Sequence, residues 1–373
     1  MKLPAPPTEK SFRSPLHHPR VATVIGRWLA AAVVICFLTG LFSHLVQETP
    51  AWLHIPTRPA SLYRVTQGLH VLSGTIAVPL LLAKLWTVYP KLFNLKGILE
   101  KVSILVLVSA LALELFIGYL NTLQWYPWPF PFKQTHYALA WIIVGALLVH
   151  IAVKLPLIRT HWRRTTEAVP ESLPPATTGL TRRGLFRTVA GAASLVGISS
   201  IGQSVPVFGP VAVLAPRKPN VGPQGLPVNR TAHDAGVSGI AADWRFTISG
   251  PQQLSYSLTE LQQLPQSRSD LPIACVEGWS QGAQWEGIRI RDLLHLCGAP
   301  ASSRVRVVSM EKGGFYATTE LPPEYAADPL TLLALRLNGG ELALDHGFPA
   351  RIIAPNRPGV LQTKWVHKLE VIA

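Results

Sequence analysis

The sequence predicts a multidomain protein: an all-α transmembrane bundle of four helices plus a fifth anchor helix, followed by an α+β domain. Three observations carry that expectation. Of the 373 residues, 48% are hydrophobic and only 14% are charged, where an ordinary globular chain carries about 25% charged residues. Apolar runs of membrane-spanning length fill residues 1–215. Beyond them the pattern changes to short alternating runs punctuated by Gly and Pro, which reads as strands, turns and short helices.

The first four apolar runs cover residues 21–45, 66–89, 102–121 and 134–158. Each is near the roughly 20 residues that cross ~30 Å of hydrocarbon. A weaker fifth run, 188–210, contains Gly, Ser, Gln203 and Pro206. Lys2, Lys10, Arg13 and Arg20 precede the first run, and Lys84, Lys91, Lys96 and Lys101 surround the second connection. Lys154, Arg159, Arg163 and Arg164 follow the fourth run, while the alternate connections hold only Arg58, Arg64 and Lys133. Basic residues stay on the cytoplasmic side. The expected protein is therefore a multi-pass cell-membrane protein in contact with lipid, with a cytoplasmic N-terminus. The aromatic, proline-rich stretch 125–132 suits the outer interface.

Expected boundaries are a cytoplasmic tail at 1–20, the four-helix domain at 21–160, a cytoplasmic linker at 161–187, the fifth helix at 188–215 and an outer domain at 216–373. The linker ends in Thr181-Arg-Arg-Gly-Leu-Phe-Arg187. This resembles the twin-arginine export signal, which implies transfer of a folded, cofactor-loaded domain across the membrane. The plainer reading is an ordinary positive-inside flank. Either way the fifth helix places residues 216–373 outside. Val213-Leu-Ala215 has the small-residue character of a cleavage site, but retention as an anchor is the expectation.

The net charge of +14 suggests nucleic-acid binding until the chain is divided. Residues 1–215 hold 19 Lys+Arg and 6 Asp+Glu, whereas residues 216–373 hold 15 and 14. The excess flanks apolar runs and sets membrane orientation, so no nucleic-acid partner is expected. The outer domain should contain strands near Trp244–Ile248 and Val305–Val308 and short helices at 258–264 and 290–296.

His44, His70, His136 and His150 lie within or at the ends of the first four helices. Ionisable residues there are costly and mark function, although an interfacial or hydrogen-bonded imidazole is the alternative for each. Haem b needs two imidazoles at matching depth on facing helices. His70 and His136 enter their helices from the same side and form the preferred axial pair. His136 and His150 are 14 residues apart, about 21 Å along one helix. With that spacing the four helices resemble the cytochrome b561-like bundle of respiratory dehydrogenases and hydrogenases, which implies haem b and exchange with the quinone/quinol pool. That family's inner haem takes a ligand from the first helix, whose residues 28–34 contain no histidine here; His17 and His18 precede it. His150 and His44 remain further iron-ligand candidates, and the haem count, one or two, stays open. Glu114 is an acid inside an apolar helix. It reads as a proton relay or quinone-facing group, or as a protonated or snorkelling carboxyl.

Cys36 lies in an apolar run, and the spacing of Cys275 and Cys297 gives no disulfide framework. Cys275 ends an apolar strand before a Gly-containing turn, in Leu271-Pro-Ile-Ala-Cys-Val-Glu-Gly-Trp-Ser280. On its own it is a soft metal ligand, a nucleophile or a buried structural thiol. Downstream stand Asp345-His-Gly-Phe-Pro-Ala-Arg-Ile-Ile-Ala-Pro355, then Gly359 and Lys364-Trp365; upstream stand Val228-Asn-Arg-Thr-Ala-His233 and Trp285-Glu-Gly-Ile288. Together these resemble the sulfite-oxidase family of molybdopterin enzymes, including periplasmic methionine-sulfoxide reductase catalytic subunits. The resemblance covers roughly residues 225–373.

It implies that Cys275 ligates molybdenum and is the catalytic residue. It implies that Asn229, His233, His346, Arg351 and the Thr363-Lys364 step bind the pterin, with Ser309 near a further contact. A cofactor that ends in phosphate and carries a dithiolene needs cations and donors at separated points; otherwise Arg351 and Lys364 read as surface charges. Sulfite oxidases extend into a dimerisation domain, and the eight residues after Trp365 leave none expected here. An arginine cluster for sulfite is not evident: Arg289, Arg291, Arg304 and Arg306 are available, but alternating arginines on a strand usually face solvent. The expected function is oxygen-atom transfer to or from a small-molecule or protein-bound substrate. Sulfoxide reduction by quinol through haem is preferred over oxidation of sulfite or a similar substrate feeding quinone. A non-catalytic haem carrier or sensor is the reading from another class.

Overall fold

A computed structural model of the protein describes residues 15–89, 97–162, 180–215 and 217–372. Lys2, Lys10, Arg13, Lys91, Lys96, Arg163 and Arg164, and the expected linker over 163–179, lie outside the described residues.

Five long helices form where the sequence is apolar: α1 (Pro19–Gln47), α2 (Leu62–Val88), α3 (Ile98–Thr122), α4 (Phe132–Trp162) and α5 (Arg182–Ile201). All five are long and apolar enough to cross a membrane. The first four match the expected runs to within a few residues at each end. The fifth departs from the expected 188–210. It starts at Arg182 because the Thr181 hydroxyl accepts the Gly184 N–H at 3.0 Å, a side-chain cap. It stops at Ile201, where Gly202 and Pro206 cannot continue it, and a 3-10 turn follows at Pro206–Val211.

The chain divides into two compact units that do not follow sequence order. One holds residues up to Leu38 with His70–Ser200; the other holds Thr39–Leu69 with Ile201 onward. The first unit is helical. Small apolar clusters join its elements: Leu81, Ala110, Leu111 and Ile143 in one, and Leu16, Val21, Ile25, Ala83 and Leu185 in another. Large apolar side chains such as Trp28, Leu105 and Leu148 stay exposed, as a lipid-facing surface requires.

The second unit contains two five-stranded sheets. In chain order its elements are β1 (Phe246–Ser249), β2 (Leu254–Tyr256), α6 (Leu258–Gln263), β3 (Ser267–Ala274), β4 (Ser280–Arg289) and α7 (Ile290–Leu296). They continue with β5 (Arg304–Ser309), β6 (Thr318–Leu321), α8 (Pro323–Ala327), β7 (Leu332–Leu337), β8 (Gly340–Glu341), β9 (Arg351–Ile353) and β10 (Val366–Ile372). One sheet runs β2-β1-β10-β5-β6; the other runs β3-β4-β7-β8, with β9 also on β7. The β1–β10 pair is parallel and the others are antiparallel. Ser257 and Glu260 form a reciprocal capping box at α6. Phe246, Ile248, Leu293, Val305, Leu333, Ile352 and Leu369 fill one core. A second core, with Leu271, Ile273, Trp285, Leu337 and Ile353, reaches Cys275. Arg304 and Arg306 are exposed and pair with Glu320 and Glu370, as alternation suggested.

Residues 39–69 join this unit through Asn356. Its side chain donates to Pro56 O at 2.6 Å and accepts the Tyr63 N–H at 2.8 Å, and its own N–H donates to Ala60 O at 3.1 Å. Tyr63 stands in the first turn of α2, whose N–H groups lack helical partners, so Asn356 caps that helix from a distant segment. Asn356 has φ 51°, a left-handed conformation that asparagine tolerates. Asn356→Ala should cost about 3 kcal/mol, by orphaning Tyr63 N and Pro56 O and by straining an alanine there. Thermal unfolding in detergent and protease cleavage within 48–61 would measure it; an unchanged midpoint and cleavage rate would refute the linking role.

Candidate functional site

Strand β3 ends at Ala274, and the chain turns through residues 275–279 into β4. Two internal bonds close the turn: Cys275 N–H to Trp279 O at 2.9 Å and Gly278 N–H to Cys275 O at 3.0 Å. Gly278 has φ 97°, which favours glycine. Cys275 is fully buried and free of disulfide. It lines a pocket with Pro227, Asn229, Ile273, Trp279, His346, Arg351, Gly359 and Lys364. The Asn229 amide lies 3.8 Å from Cys275 Sγ.

The basic side chains of this pocket are held from behind. Arg351 opens β9 and donates to His346 O at 2.9 Å and Gln362 O at 3.2 Å, with its guanidinium 5.1 Å from the Trp285 ring centre. Its Nε is buried without a hydrogen-bond partner. Lys364 donates to Arg230 O at 2.8 Å and Asp345 O at 2.7 Å. Gly347 allows this approach: its φ is 109°, and a β-carbon there would meet Lys364 Cβ at 3.0 Å and Arg351 Cβ at 3.2 Å. His346 Nε2 lies 2.7 Å from Pro223 O. A carbonyl only accepts, so Nε2 carries the proton and a neutral ring leaves Nδ1 as an acceptor.

Burial dominates the electrostatics. It pushes the Arg351 guanidinium down to about 9. Burial, then the nearby Arg351, lower Lys364 to about 7 and His346 to about 4. The Cys275 thiol is pushed well above its usual range by burial and by Glu277. No carboxylate side chain lines the pocket among the described residues. A desolvated guanidinium with only neutral partners, as at Arg351, calls for an anionic ligand, and a buried thiol that resists ionisation calls for a metal cation. Molybdopterin offers both, so these residues fit it: Arg351 and Lys364 for the anionic part, Asn229 and His346 for polar contacts, and Cys275 for the metal.

Five of the expected residues thus meet: Cys275, Asn229, His346, Arg351 and Lys364. Arg351 is 2% exposed, so it is not a surface charge. Ser309 and Thr363 stand behind the pocket wall. Ser309 donates to Lys364 O at 2.7 Å, and Thr363 hydroxyl lies 2.6 Å from that of Thr319. His233 is not brought in: its side chain is 99% exposed and lies 3.6 Å from Asp234. Sequence reasoning did not assign roles to Trp279 or to Glu277, whose buried carboxylate accepts the Trp279 indole N–H at 3.1 Å and sits 3.5 Å from Arg217. Both lie in the Cys275 motif, which was the available signal; nothing local singled out Arg217.

In the helical unit, the His70 and His136 ring centres are 6.1 Å apart with planes at 81°. A metal–imidazole nitrogen bond is about 2 Å, so two imidazoles facing across one iron have centres about 6 Å apart. His70 Nδ1 donates to Cys36 O at 2.8 Å, and His136 Nδ1 lies 3.2 Å from Glu114 Oε2. The His70 bond fixes that ring's orientation and leaves its other nitrogen for a metal, whereas His136 Nδ1 and Glu114 Oε2 make no hydrogen bond among the described residues. A β-carbon on Gly118 would meet His136 Cε1 at 3.3 Å, so glycine makes room for that ring. His70 and His136 stand at the separation that two haem-iron ligands would need. His150 Nδ1 has no hydrogen-bond partner among the described residues, and no second imidazole is paired with it in a ring contact. His44 belongs to the other unit and lies 3.7 Å from Glu48.

Residues 233–373 match the family model of the oxidoreductase molybdopterin binding domain. Mouse mitochondrial sulfite oxidase is 30% identical over 148 residues, covering 33% of this chain and 27% of that protein. A protein of Azospira oryzae assigned as protein-methionine-sulfoxide reductase subunit YedZ1 is 31% identical over 133 residues, 35% of this chain and 50% of that one. Barley nitrate reductase [NAD(P)H] is 39% identical over 106 residues, 25% of this chain and 12% of that protein. The chain therefore spans half or less of the length of each of these relatives.

The Lys364 shift predicts a pH dependence of the cofactor-free protein. Its folded value of about 7 lies below the ordinary 10.5. Between these values the unfolded state binds more protons, so stability rises with pH across that window. Lys364→Met should flatten the rise and raise the melting temperature at pH 6, measured by thermal unfolding from pH 6 to 10. An identical pH slope in the variant would contradict the assignment.

Proposed function

We propose that this chain, in which residues 233–373 are an oxidoreductase molybdopterin-binding domain of the sulfite-oxidase type, is a membrane-bound sulfoxide reductase. It takes a substrate of the methionine sulfoxide class and uses electrons from quinol passing through haem b. The observation that carries the reading is the buried Cys275 thiol in a pocket that gathers Arg351, Lys364 and His346 without a carboxylate. A molybdenum-loaded pterin, when bound there, would supply the two-electron oxygen-atom exchange. A sulfoxide, two electrons and two protons give a sulfide and water.

Within that reaction Cys275 would hold the metal, and Arg351 and Lys364 would hold the anionic end of the cofactor. His346 presents an acceptor, because burial keeps its ring neutral above pH 4. Asn229 stands beside the sulfur and orients what binds there. His70 and His136 would hold the haem iron, with the Glu114 carboxylate close to the His136 ring. The quinol side draws on the membrane helices. The alternating basic flanks favour a cytoplasmic N-terminus and an outer catalytic domain, with the twin-arginine-like segment as an export signal.

Similarity to sulfite oxidases favours a second reading, oxidation of sulfite with electrons passed to quinone. One optical experiment separates them. Protein purified in mild detergent and reduced without oxygen is mixed with methionine sulfoxide while the haem bands are followed. Rapid haem reoxidation is expected, abolished in Cys275→Ala. Haem that stays reduced in a molybdenum-containing preparation, together with reduction of the oxidised protein by sulfite, would select the second reading. Absence of a haem spectrum that is lost in His70→Ala would overturn the electron route.

A further inference from the structure

The turn that carries Cys275 is held by residues far outside the matched domain. Its two internal hydrogen bonds leave Val276 O, Gly278 O and Ser280 N–H without partners inside the turn. The Gln67 side chain on α2 donates to Val276 O at 2.8 Å. Ser204, after α5, donates its hydroxyl to Gly278 O at 2.7 Å, and Ser280 N–H donates to Gln203 O at 3.0 Å. Arg64 on α2 in turn donates to Ser204 O at 2.8 Å. Four residues before Gln67, on the same helical face, Tyr63 is buried in a cluster with Val46, Ile55 and Ala274. The first turns of α2 therefore bracket the thiol: Tyr63 packs against the residue before Cys275, and Gln67 binds the residue after it.

Gln67 is 4% exposed, and its Oε1 is buried without a hydrogen-bond partner. A side chain serving only helix stability has no reason to bury a polar amide half-satisfied, whereas one aimed at a specific carbonyl does.

We infer that Gln67 is a positioning residue for the Cys275 thiol, setting the turn's backbone from the first turns of α2, with Ser204 fixing its far side. The functional consequence rests on the reading of Cys275 as the molybdenum ligand. The positional claim does not need the cofactor.

The test uses the full chain in detergent, first without cofactor. Alkylation by iodoacetamide is followed cysteine by cysteine with peptide mass spectrometry in wild type, Gln67→Met and Ser204→Ala. Gln67→Met keeps side-chain length and removes the donor. Cys297 is the internal control: it is as buried as Cys275 and sits in the other core, with its sulfur 3.2 Å from Leu294 O. The expected result is a rise of about tenfold or more in the Cys275 rate with the Cys297 rate unchanged. Unchanged rates for both, or an equal rise for both, would overturn the inference. If Gln67→Met does not fold, Ser204→Ala, which leaves α2 intact, decides on the same criterion for the clamp. In molybdenum-loaded protein, Gln67→Met should also change the Mo(V) resonance while metal content stays at the wild-type level. Wild-type protein that binds no molybdenum would defeat the proposed function yet leave the thiol measurement standing.

Discussion

Arg351 is a guanidinium enclosed almost completely by protein, with two backbone carbonyls as acceptors and an indole ring across its face. Those partners are neutral. A buried cation with neutral partners is tolerated only when its hydrogen bonds are nearly complete, and here Nε is left over. Lys364 is half-buried beside it, with two carbonyl acceptors and basicity depressed by burial and by Arg351 despite nearby Asp345 and Glu311. The surrounding architecture serves this constraint. Pairing of β9 with β7 fixes Arg351, Gly347 lets the two basic segments approach, and Ser309 holds the backbone of Lys364. The site is organised at the expense of the empty fold, as functional sites commonly are.

The thiol makes the complementary demand. Burial and Glu277 oppose its ionisation, so it becomes a thiolate only if a cation arrives next to it. One pocket thus contains cations in need of an anion and a sulfur in need of a metal. A simple anion leaves the thiol unused, and a bare metal ion leaves Arg351 and Lys364 repelling it. A ligand with a metal at one end and negative charge at the other meets both needs. The matched family binds such a ligand. Electrostatic reasoning and sequence similarity reach the same class independently.

What the sequence made legible follows from the range of each interaction. The five helices come from local hydropathy and were readable with small errors at their ends; α5 departed most because Thr181 capping and the Gly202–Pro206 break act over single turns. The short helices at 258 and 290 were readable for the same reason. Cys275, His346, Arg351 and Lys364 were accessible through motif resemblance, and their meeting is a property of the fold. His233 shares that motif context but is exposed, so a motif position did not guarantee a place in the pocket. Asn356 and Gln67 carried no local signal at all. Their partners lie 293 and 209 residues away, and an asparagine or glutamine looks the same in sequence whether it caps a distant helix or faces water.

Long sequence separation also explains why such modest contacts suffice. The segment 39–69 meets the sheet-bearing part of its unit through a few hydrogen bonds and the small cluster around Tyr63. Between separate chains, contacts of that size would have to overcome the entropy of association. Within one chain the partners are held at high effective concentration, and each added bond contributes more of its energy to order. The polar end of α2 gains from this as well, because Asn356 satisfies an N–H that the helix cannot. The same docking that completes α2 brings Tyr63 and Gln67 against the strand end before and after Cys275. Capping a helix and shaping a metal-ligand turn are thus met by one set of contacts, and a change that loosens one loosens the other.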